Sequence, residues 1–498
     1  MKKNASFGID ETGKIDSKVY LRTAVLVLMK AVNDLYGKEV MVNVEFKYGG
    51  AYYIKLGGIE ATADVIKVIS GKMRESVDAA LPITRKKVST KEAIETALSK
   101  NDFREAELLS YRISNETEIY CIGDYSTMFI GELFDSADKI RDFKLIRSEK
   151  GLLITGESLR FVEENDIKAL SRKLFELQNV TEKWADYIGI DSVPDLNRAI
   201  ADGTINDVVL MQEAFYEKKM GDAAHEIVYN KKKFVLLAGP SSSGKTTTSY
   251  RLAIQLRALG REPLIISADD YFFGIDKRPL LPDGTPDLES IRAVDTELFN
   301  SDMIKLLNGE EIELPTFNFK KSQREYHGKK ISLGERTVLI IEGIHCLNPE
   351  FSVKIPDESK FFVYISALTP LCIDDHNPMA TSDCRLLRRI IRDNRTRGYS
   401  AEDTLSKWSD VRKGETENIF PYQDNADYIF NSALVYELAV LKLFAAPLLF
   451  GIGEASPQYG EARRLLRCLE LVLPMSTEII PKTSVIREFI GGSCIDVT

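Results

Sequence analysis

FVLLAGPSSSGKTTTSYRLAIQLRALG, residues 234–260, joins three signals in one stretch. Phe234 to Ala238 is short and continuously apolar, the pattern of a strand buried on both faces of a parallel sheet. Gly239 to Thr246 fits G-x-x-x-x-G-K-[S/T]. Thr246 to Leu259 then reads as a helix, with Leu252, Ile254, Leu256 and Leu259 as its apolar residues and Gly260 as its stop. A chance Gly/Ser loop would not be expected to carry both flanking elements. Gly239 and Gly244 let the backbone turn N–H groups inward, so the loop and the helix N-terminus form an anion site from Ser241, Ser242, Ser243 and Thr247. Lys245 adds a cation for β- and γ-phosphates, and Thr246 a hydroxyl for Mg²⁺.

The chain has 498 residues, too many for one ordinary core, so two or three domains are expected. With 66 basic against 75 acidic residues its net charge is −9, which argues against a protein built mainly to hold nucleic acid or an anionic membrane. The six cysteines (Cys121, Cys346, Cys372, Cys384, Cys468, Cys494) show no C-x-x-C spacing, which suggests neither a zinc knuckle nor a disulfide framework. A reducing cytoplasm fits that usage. Lys2 and Lys3 are not followed by an apolar h-region, and the apolar run Leu438 to Ile452 is interrupted by Lys442, so neither a secretory signal nor a membrane span is expected.

Residues 1–160 read as an α+β domain. Lys18 to Tyr36 carries a helical stripe of Leu21, Val25, Leu28, Val32 and Leu35. Val40 to Phe46 and Ala51 to Leu56 read as paired strands, and Ala63 to Ala80 as a second helix. Ser89 with Glu92 makes a capping box that opens a third. Ile119 to Ile122, Thr127 to Phe129 and Lys144 to Ile154 are expected as strands. The segments RTAVLVLMKAVNDLYG, GGAYY, LPITRKKVSTKEA and IGDYSTMFIGELFDSADKIRDFKLI, in that order, resemble the second N-terminal, editing-type domain of threonyl-tRNA synthetases. That likeness puts Arg22, Leu26, Phe129 and Leu133 where the family has three histidines and a cysteine. Leucine and phenylalanine neither ligate metal nor move protons, so the implied role is binding, regulation or assembly rather than editing.

Phe161 to Asn230 is helical in pattern, with Glu213, Lys218, Lys219 and Glu226 spaced for a solvated face. From Lys231 to Thr498 apolar runs alternate with helices: Phe234 to Ala238, Leu264 to Ala268, Val338 to Ile341, Phe361 to Ser366 and Tyr428 to Phe430. The implied fold is α/β, a parallel sheet flanked by helices, with ligands outside the carboxyl ends of the strands. Asp269 and Asp270 end the second of these runs, and Glu342 ends the third. A carboxylate there can take a proton from an attacking hydroxyl or hold Mg²⁺, although an Asp-Asp pair also serves as a helix cap or turn. In RLLRRIIRDNRTRGYS, Arg385, Arg388, Arg389 and Arg392 share a helical face. Beside a phosphate loop they suggest a lid that neutralises transferring phosphate.

GPSSSGKTT, DDYFF, ESIRAVD, LPTFNF, EGIH, RRIIRDNRTRG and NADYIF resemble the uridine kinase and phosphoribulokinase group of P-loop kinases, over Lys231 to about Leu441. The resemblance implies ATP and Mg²⁺ as cofactors and Asp269 as the base that takes the proton of a sugar 5′-hydroxyl. It further implies Thr246, Asp269 and Glu342 around the metal, with Lys245, Arg392 and Arg397 serving the transferred phosphate. Tyr271, Glu289, Phe317 and Arg389 fall on the substrate side. Phe317 and Ser322 stand where uridine kinases use tyrosine and histidine, so another pyrimidine nucleoside, or a purine such as inosine, stays open. The insertion from Cys372 to Asp383 carries His376, read as a loop residue rather than a catalyst. The expected activity is nucleoside 5′-phosphorylation. A kinase for another small alcohol or sugar phosphate, and an RNA-binding regulatory ATPase, are the alternatives. A nucleoside is the expected partner, nucleic acid and membrane are not, and the tail from Leu441 suggests a packed appendage or an oligomer contact.

Overall fold

The computed structural model describes residues 16–48, 50–148, 150–156, 172–280, 287, 289–318, 321–369 and 371–495. The expected domain end near Leu159 and the start of the helical stretch at Phe161 lie outside these residues. The N-terminal region opens with α1 (Ser17–Tyr36), capped by Asp16, which accepts from the Lys18 N–H at 2.7 Å. The hairpin β1 (Met41–Tyr48) and β2 (Ala51–Gly57) follows, then α2 (Ala63–Asp78), β3 (Ile83–Ser89), α3 (Thr90–Ser99) and α4 (Phe103–Ser110). Next come β4 (Glu116–Ile122), β5 (Tyr125–Thr127), β6 (Phe143–Ser148) and β7 (Gly151–Gly156). The strands form two antiparallel sheets, ordered β1-β2-β7-β6 and β3-β4-β5. Leu21, Val25, Leu28 and Val32 bury their stripe as the spacing required.

Lys144 to Ile154, expected as one strand, is two. Ser148 pairs with Gly151 across a turn at Lys150, and the polar turn residues interrupt an otherwise apolar run. The β3 strand escaped notice because Arg85, Lys86 and Lys87 leave it with one buried residue, Ile83, and no clean alternation.

Three helices lead to the second half: α5 (Arg172–Ile188), α6 (Val193–Ala201), with Pro194 in its first turn, and α7 (Ile205–Tyr229). Glu213 does not lie on a solvated face. It is buried, pairs with Arg251 at 3.3 Å and accepts from the Tyr436 hydroxyl at 2.7 Å. The second half then runs β8 (Phe234–Ala238), α8 (Lys245–Ala258), β9 (Glu262–Ser267), α9 (Thr296–Leu307), the hairpin β10 (Ile312–Asn318) and β11 (Gln323–Ile331), β12 (Thr337–Glu342) and β13 (Lys360–Ser366). It closes with α10 (Thr381–Arg392), α11 (Ala401–Ser406), α12 (Trp408–Asn418), β14 (Tyr428–Asn431), α13 (Glu437–Phe450), α14 (Tyr459–Glu470) and the short α15 (Arg487–Ile490). Five parallel strands form the sheet β14-β13-β8-β12-β9. All five residues of β8 are buried, since helices cover both faces. No helix among the described residues is long and apolar enough to cross a membrane.

The Cys372–Asp383 insertion ties the halves together. The Val44 N–H donates to the Asp375 carbonyl at 2.7 Å, and the Arg104 guanidinium bridges Asp375 and Asp191 at 2.9 and 2.8 Å. His376 is fully buried. Its Nε2 donates to the Met128 carbonyl at 2.8 Å, and Nδ1 faces Asp374 at 3.4 Å and Asp102 at 3.9 Å, with Glu105 3.8 Å from Nε2. Burial alone would push this imidazole down, but Asp374, Asp102 and Glu105 outweigh it and lift it to about 9. It is an imidazolium held among the acidic side chains of Asp374, Asp102 and Glu105, from two parts of the chain.

Because the folded value lies above the ordinary 6.5, this contribution is full below pH 6.5 and lost as pH rises through about 9. Glu105, lifted to about 8 chiefly by burial, loses stability in the same direction. The calorimetric unfolding midpoint is therefore expected to fall between pH 6.5 and 9. His376→Gln should flatten part of that fall and cost on the order of 3 kcal/mol at pH 6.5. An identical pH slope in the variant would remove His376 from this role.

Candidate active site

The loop between β8 and α8 is shaped by close approach and by a left-handed turn. A Cβ on Gly239 would sit 2.2 Å from the Ile365 carbonyl of β13. Ser242 and Gly244 adopt φ of +58° and +83°, which curls the chain into an anion-binding concavity at the α8 N-terminus. The carbonyls are each tied down. Lys245 Nζ donates to Gly239 and Pro240 at 2.9 and 3.3 Å. Arg385 donates to Ser241 at 3.2 Å, Arg388 to Ser242 at 3.4 Å, and the Ser432 hydroxyl to Ser243 at 2.5 Å.

Arg385 and Arg388 are therefore not lid residues. Both are buried, Arg385 paired with Glu415 and Arg388 with Glu437, and Glu415 also accepts from the Ser241 N–H at 3.0 Å. The helical face read as one arginine lid divides in two. Arg385 and Arg388 brace the loop, whereas Arg389 reaches the Ser241 hydroxyl at 2.6 Å. Arg389, Arg392 and Arg397 converge on Asp393 at 3.2, 2.7 and 3.4 Å. Asp393 lies in a π-helical turn, Asp393–Arg397, that extends α10.

Thr246, Asp269 and Glu342 meet at the carboxyl ends of β9 and β12. The Thr246 hydroxyl lies 3.2 Å from both Glu342 oxygens. Burial raises Glu342 to about 7, against the pull of Lys245 and with the help of Glu488 and Asp269. Burial likewise raises Asp269 to about 6, with Lys245 holding it down and Asp270 pushing it up. A hydroxyl beside two crowded, partly buried carboxylates is an all-oxygen donor set suited to Mg²⁺, whose charge would relieve their repulsion. A cavity of about 210 Å³ opens beside Thr246, Asp270, Lys329 and Glu342.

On the acceptor side, Glu289 packs against Gly414 of α12, and burial raises its carboxyl against the field of Arg389. Phe317 is buried edge-on to Phe272, with the Arg278 guanidinium 4.8 Å from its ring centre, so it stands as a wall. Asp270 holds that wall by accepting from the Phe317 N–H at 3.0 Å. Tyr271 is fully buried, edge-on to Phe299, with its hydroxyl 3.4 Å from Asp302.

Sequence reasoning missed Glu488. Its carboxylate accepts from the Thr247 N–H at 3.2 Å and the Thr247 hydroxyl at 2.7 Å, in the first turn of α8. Val485 covers Gly244, where a Cβ would meet it at 2.3 Å, and Arg395 donates to the Glu488 and Phe489 carbonyls at 2.8 and 3.0 Å. IREFIGGS, the tail motif without a sequence-level role, thus sits on the phosphate loop. Its signal was an acidic residue inside an apolar run, which asks for a partner. Glu437 in ALVYELAVLKLF carries the same signal.

A parallel sheet, a G-x-x-x-x-G-K-T loop at one strand end and carboxylates at the two neighbouring ends define a P-loop kinase, a phosphotransferase acting on a small substrate. Residues 234–439 match the model of the Phosphoribulokinase / Uridine kinase family. A uridine kinase of Halobacterium salinarum is 25% identical over 39% of this chain and 77% of its own length. One from Mycoplasma genitalium is 29% identical over 36% and 74%, and one from Macrococcus caseolyticus 26% over 40% and 88%. Among solved structures, a D-glycerate 3-kinase from Cryptococcus neoformans overlaps 52% of this chain and 89% of its own at 15% identity, with a TM-score of 0.22.

Glu488 places a negative charge on donors that a nucleotide phosphate would use. Glu488→Ala is expected to tighten binding of a non-hydrolysable ATP analogue about three- to tenfold, measured by calorimetry, and unchanged or weaker binding would contradict it.

Proposed function

We propose that the chain transfers the γ-phosphoryl group of ATP to the 5′-hydroxyl of a nucleoside, giving a nucleoside monophosphate and ADP. The observation that carries this reading is Asp269, a partly buried carboxyl raised to about 6 at a strand end, in the field of Lys245 and close enough to Glu342 to raise it in turn. The matched relatives named uridine kinase support the nucleoside half of it.

Asp269 takes the hydroxyl proton as the oxygen attacks, a role that suits a carboxyl lifted toward neutrality. Lys245 leaves the Gly239 and Pro240 carbonyls for the β- and γ-phosphates. Arg389, Arg392 and Arg397 exchange Asp393 for phosphate oxygens, so the lid is preassembled and pays only the difference between two anionic partners. Mg²⁺, held by Thr246, Glu342 and Asp269, neutralises charge on the phosphates when bound. Glu289 is placed to hold ribose hydroxyls. Phe317, without a hydroxyl, leaves the base to be selected by shape, so another pyrimidine or a purine such as inosine is accepted alongside uridine as a candidate.

A panel of nucleosides and sugar phosphates assayed for ADP release tests the substrate class, and turnover on sugar phosphates alone would overturn it. Asp269→Asn is expected to lower kcat roughly a thousandfold with ATP affinity kept within about twofold. Because the base works deprotonated, kcat/KM should rise with pH through about 6. Glu342, at about 7, broadens that limb, since the two carboxyls titrate as a pair. A rate flat from pH 5 to 8 would remove Asp269 as the base.

A further inference from the structure

A cavity of about 780 Å³ lies between the N-terminal region and the second half, away from the Thr246–Glu342 carboxylates. Six cations line it: Lys18, Arg22, Lys47, Arg385, Arg412 and Arg464. Among the described residues four carboxylates answer them, Asp16 among them in the field of Lys47. Glu415 serves Arg385 and Arg412, while Asp383 and Glu461 serve Arg464, and Lys18 lies 4.0 Å from Asp383. Among the described residues Arg22 spends only its Nε, on the Glu132 carbonyl at 3.0 Å, and the Lys47 side chain has no hydrogen-bond or ion-pair partner. Lys47 keeps an exposed side chain, yet lost solvation pushes it down to about 8, with Lys18, Arg412 and Arg22 acting the same way and Asp16 opposing them. The first turn of α10 also faces this space through Thr381 and Ser382. Its N-cap, Ala380, has no side chain to cap it.

Aromatic side chains stand among the aliphatic and neutral polar residues of the remaining wall. Phe46, Tyr52 and Phe175 stand on the N-terminal side, Trp408 and Phe420 opposite. Tyr52 pairs across the hairpin with Lys47, which sets an aromatic ring beside the unpartnered ammonium. The volume is that of a small-molecule site. Uncompensated positive charge beside flat apolar rings matches an anion attached to a ring.

We propose that this cavity binds a phosphorylated small molecule bearing an aromatic ring, with its phosphate on Arg22 and the first turn of α10 and its ring beside Lys47, against Phe46, Tyr52 and Phe175. Pro240 and Arg385 belong both to the cavity wall and to the phosphate loop or its brace, so the occupant and the loop share a partition. The assignment does not depend on the nucleoside kinase reading.

Pyridoxal 5′-phosphate is a suitable probe of that chemistry. Its aldehyde condenses with the deprotonated Lys47 amine, releasing water, and borohydride then delivers a hydride to fix the imine as a secondary amine. The full chain is treated with pyridoxal 5′-phosphate or with pyridoxal, reduced, digested and read by peptide mass. Pyridoxal closes on itself as a hemiacetal and is the slower reagent at any lysine, so the preference for the phosphate-bearing aldehyde is read relative to Lys87 and Lys91, and Lys47 is expected to exceed theirs at least tenfold. Arg22→Gln should bring the Lys47 preference to within about twofold of those controls. A Lys47 preference no greater than that of Lys87 and Lys91 in the unaltered chain would overturn the proposal without recourse to any variant. A preference unchanged in a folded Arg22→Gln chain would overturn the assigned phosphate position. Labelling of Lys245, read in the same digest, reports the phosphate loop separately, so failure at Lys47 is distinguishable from failure of the kinase reading.

Discussion

Five successive carbonyls, from Gly239 to Ser243, need donors for the phosphate loop to hold its curl, and two of the loop's own N–H groups are spent on Glu415 and on the Pro240 carbonyl. Each of the five finds a side-chain donor: Lys245 for the first two, then Arg385, Arg388 and Ser432. Left in apolar surroundings without donors, such carbonyls would each cost about 1–3 kcal/mol. The loop conformation thus depends on charges brought from far along the chain. Arg385 and Arg388 come from α10, their counter-charges Glu415 and Glu437 from α12 and α13, and Ser432 from the end of β14.

Burying two guanidinium groups is expensive, and the desolvation of such pairs commonly exceeds their attraction. Here each arginine is paired and also hydrogen-bonded to backbone, which satisfies most of its donors. The pairs add position more than stability. A guanidinium anchored at two points fixes the carbonyl it reaches, and a preorganised phosphate cradle requires that fixing. Arg251 repeats the scheme one layer out. It holds Glu213 and Glu217 of α7 while its guanidinium lies 3.8 Å from the Tyr216 ring centre, locking α8 to the helix that precedes β8.

The parallel sheet was legible because β8, β12 and β13 are short apolar runs between turn signals, and burial on both faces leaves that trace in sequence. Asp269 and Glu342 could be found for the same reason, as polar residues closing apolar runs, and Thr246 from its place in the G-x-x-x-x-G-K-[S/T] pattern. The arginine helix was only half legible. Periodicity puts Arg385, Arg388, Arg389 and Arg392 on one side, but it cannot tell a guanidinium meeting Glu415 inside the core from one meeting Asp393 at the lid. That distinction depends on which partners the fold brings near. Glu488 and His376 were opaque because their partners, Thr247 and Met128, stand 241 and 248 residues away.

The His376 pin has a further consequence for how the chain is made. Met128 leaves the ribosome 248 residues before the imidazole that completes its surroundings. At ordinary elongation rates that interval is roughly 12 to 50 s. Throughout it, Asp102 and Glu105 have no cation from the insertion, and β1 lacks the Asp375 carbonyl that accepts from Val44. The N-terminal region is therefore finished from behind. Its last interface closes only once the kinase half has been translated past residue 376, so the order of synthesis runs opposite to the order in which this joint becomes stable.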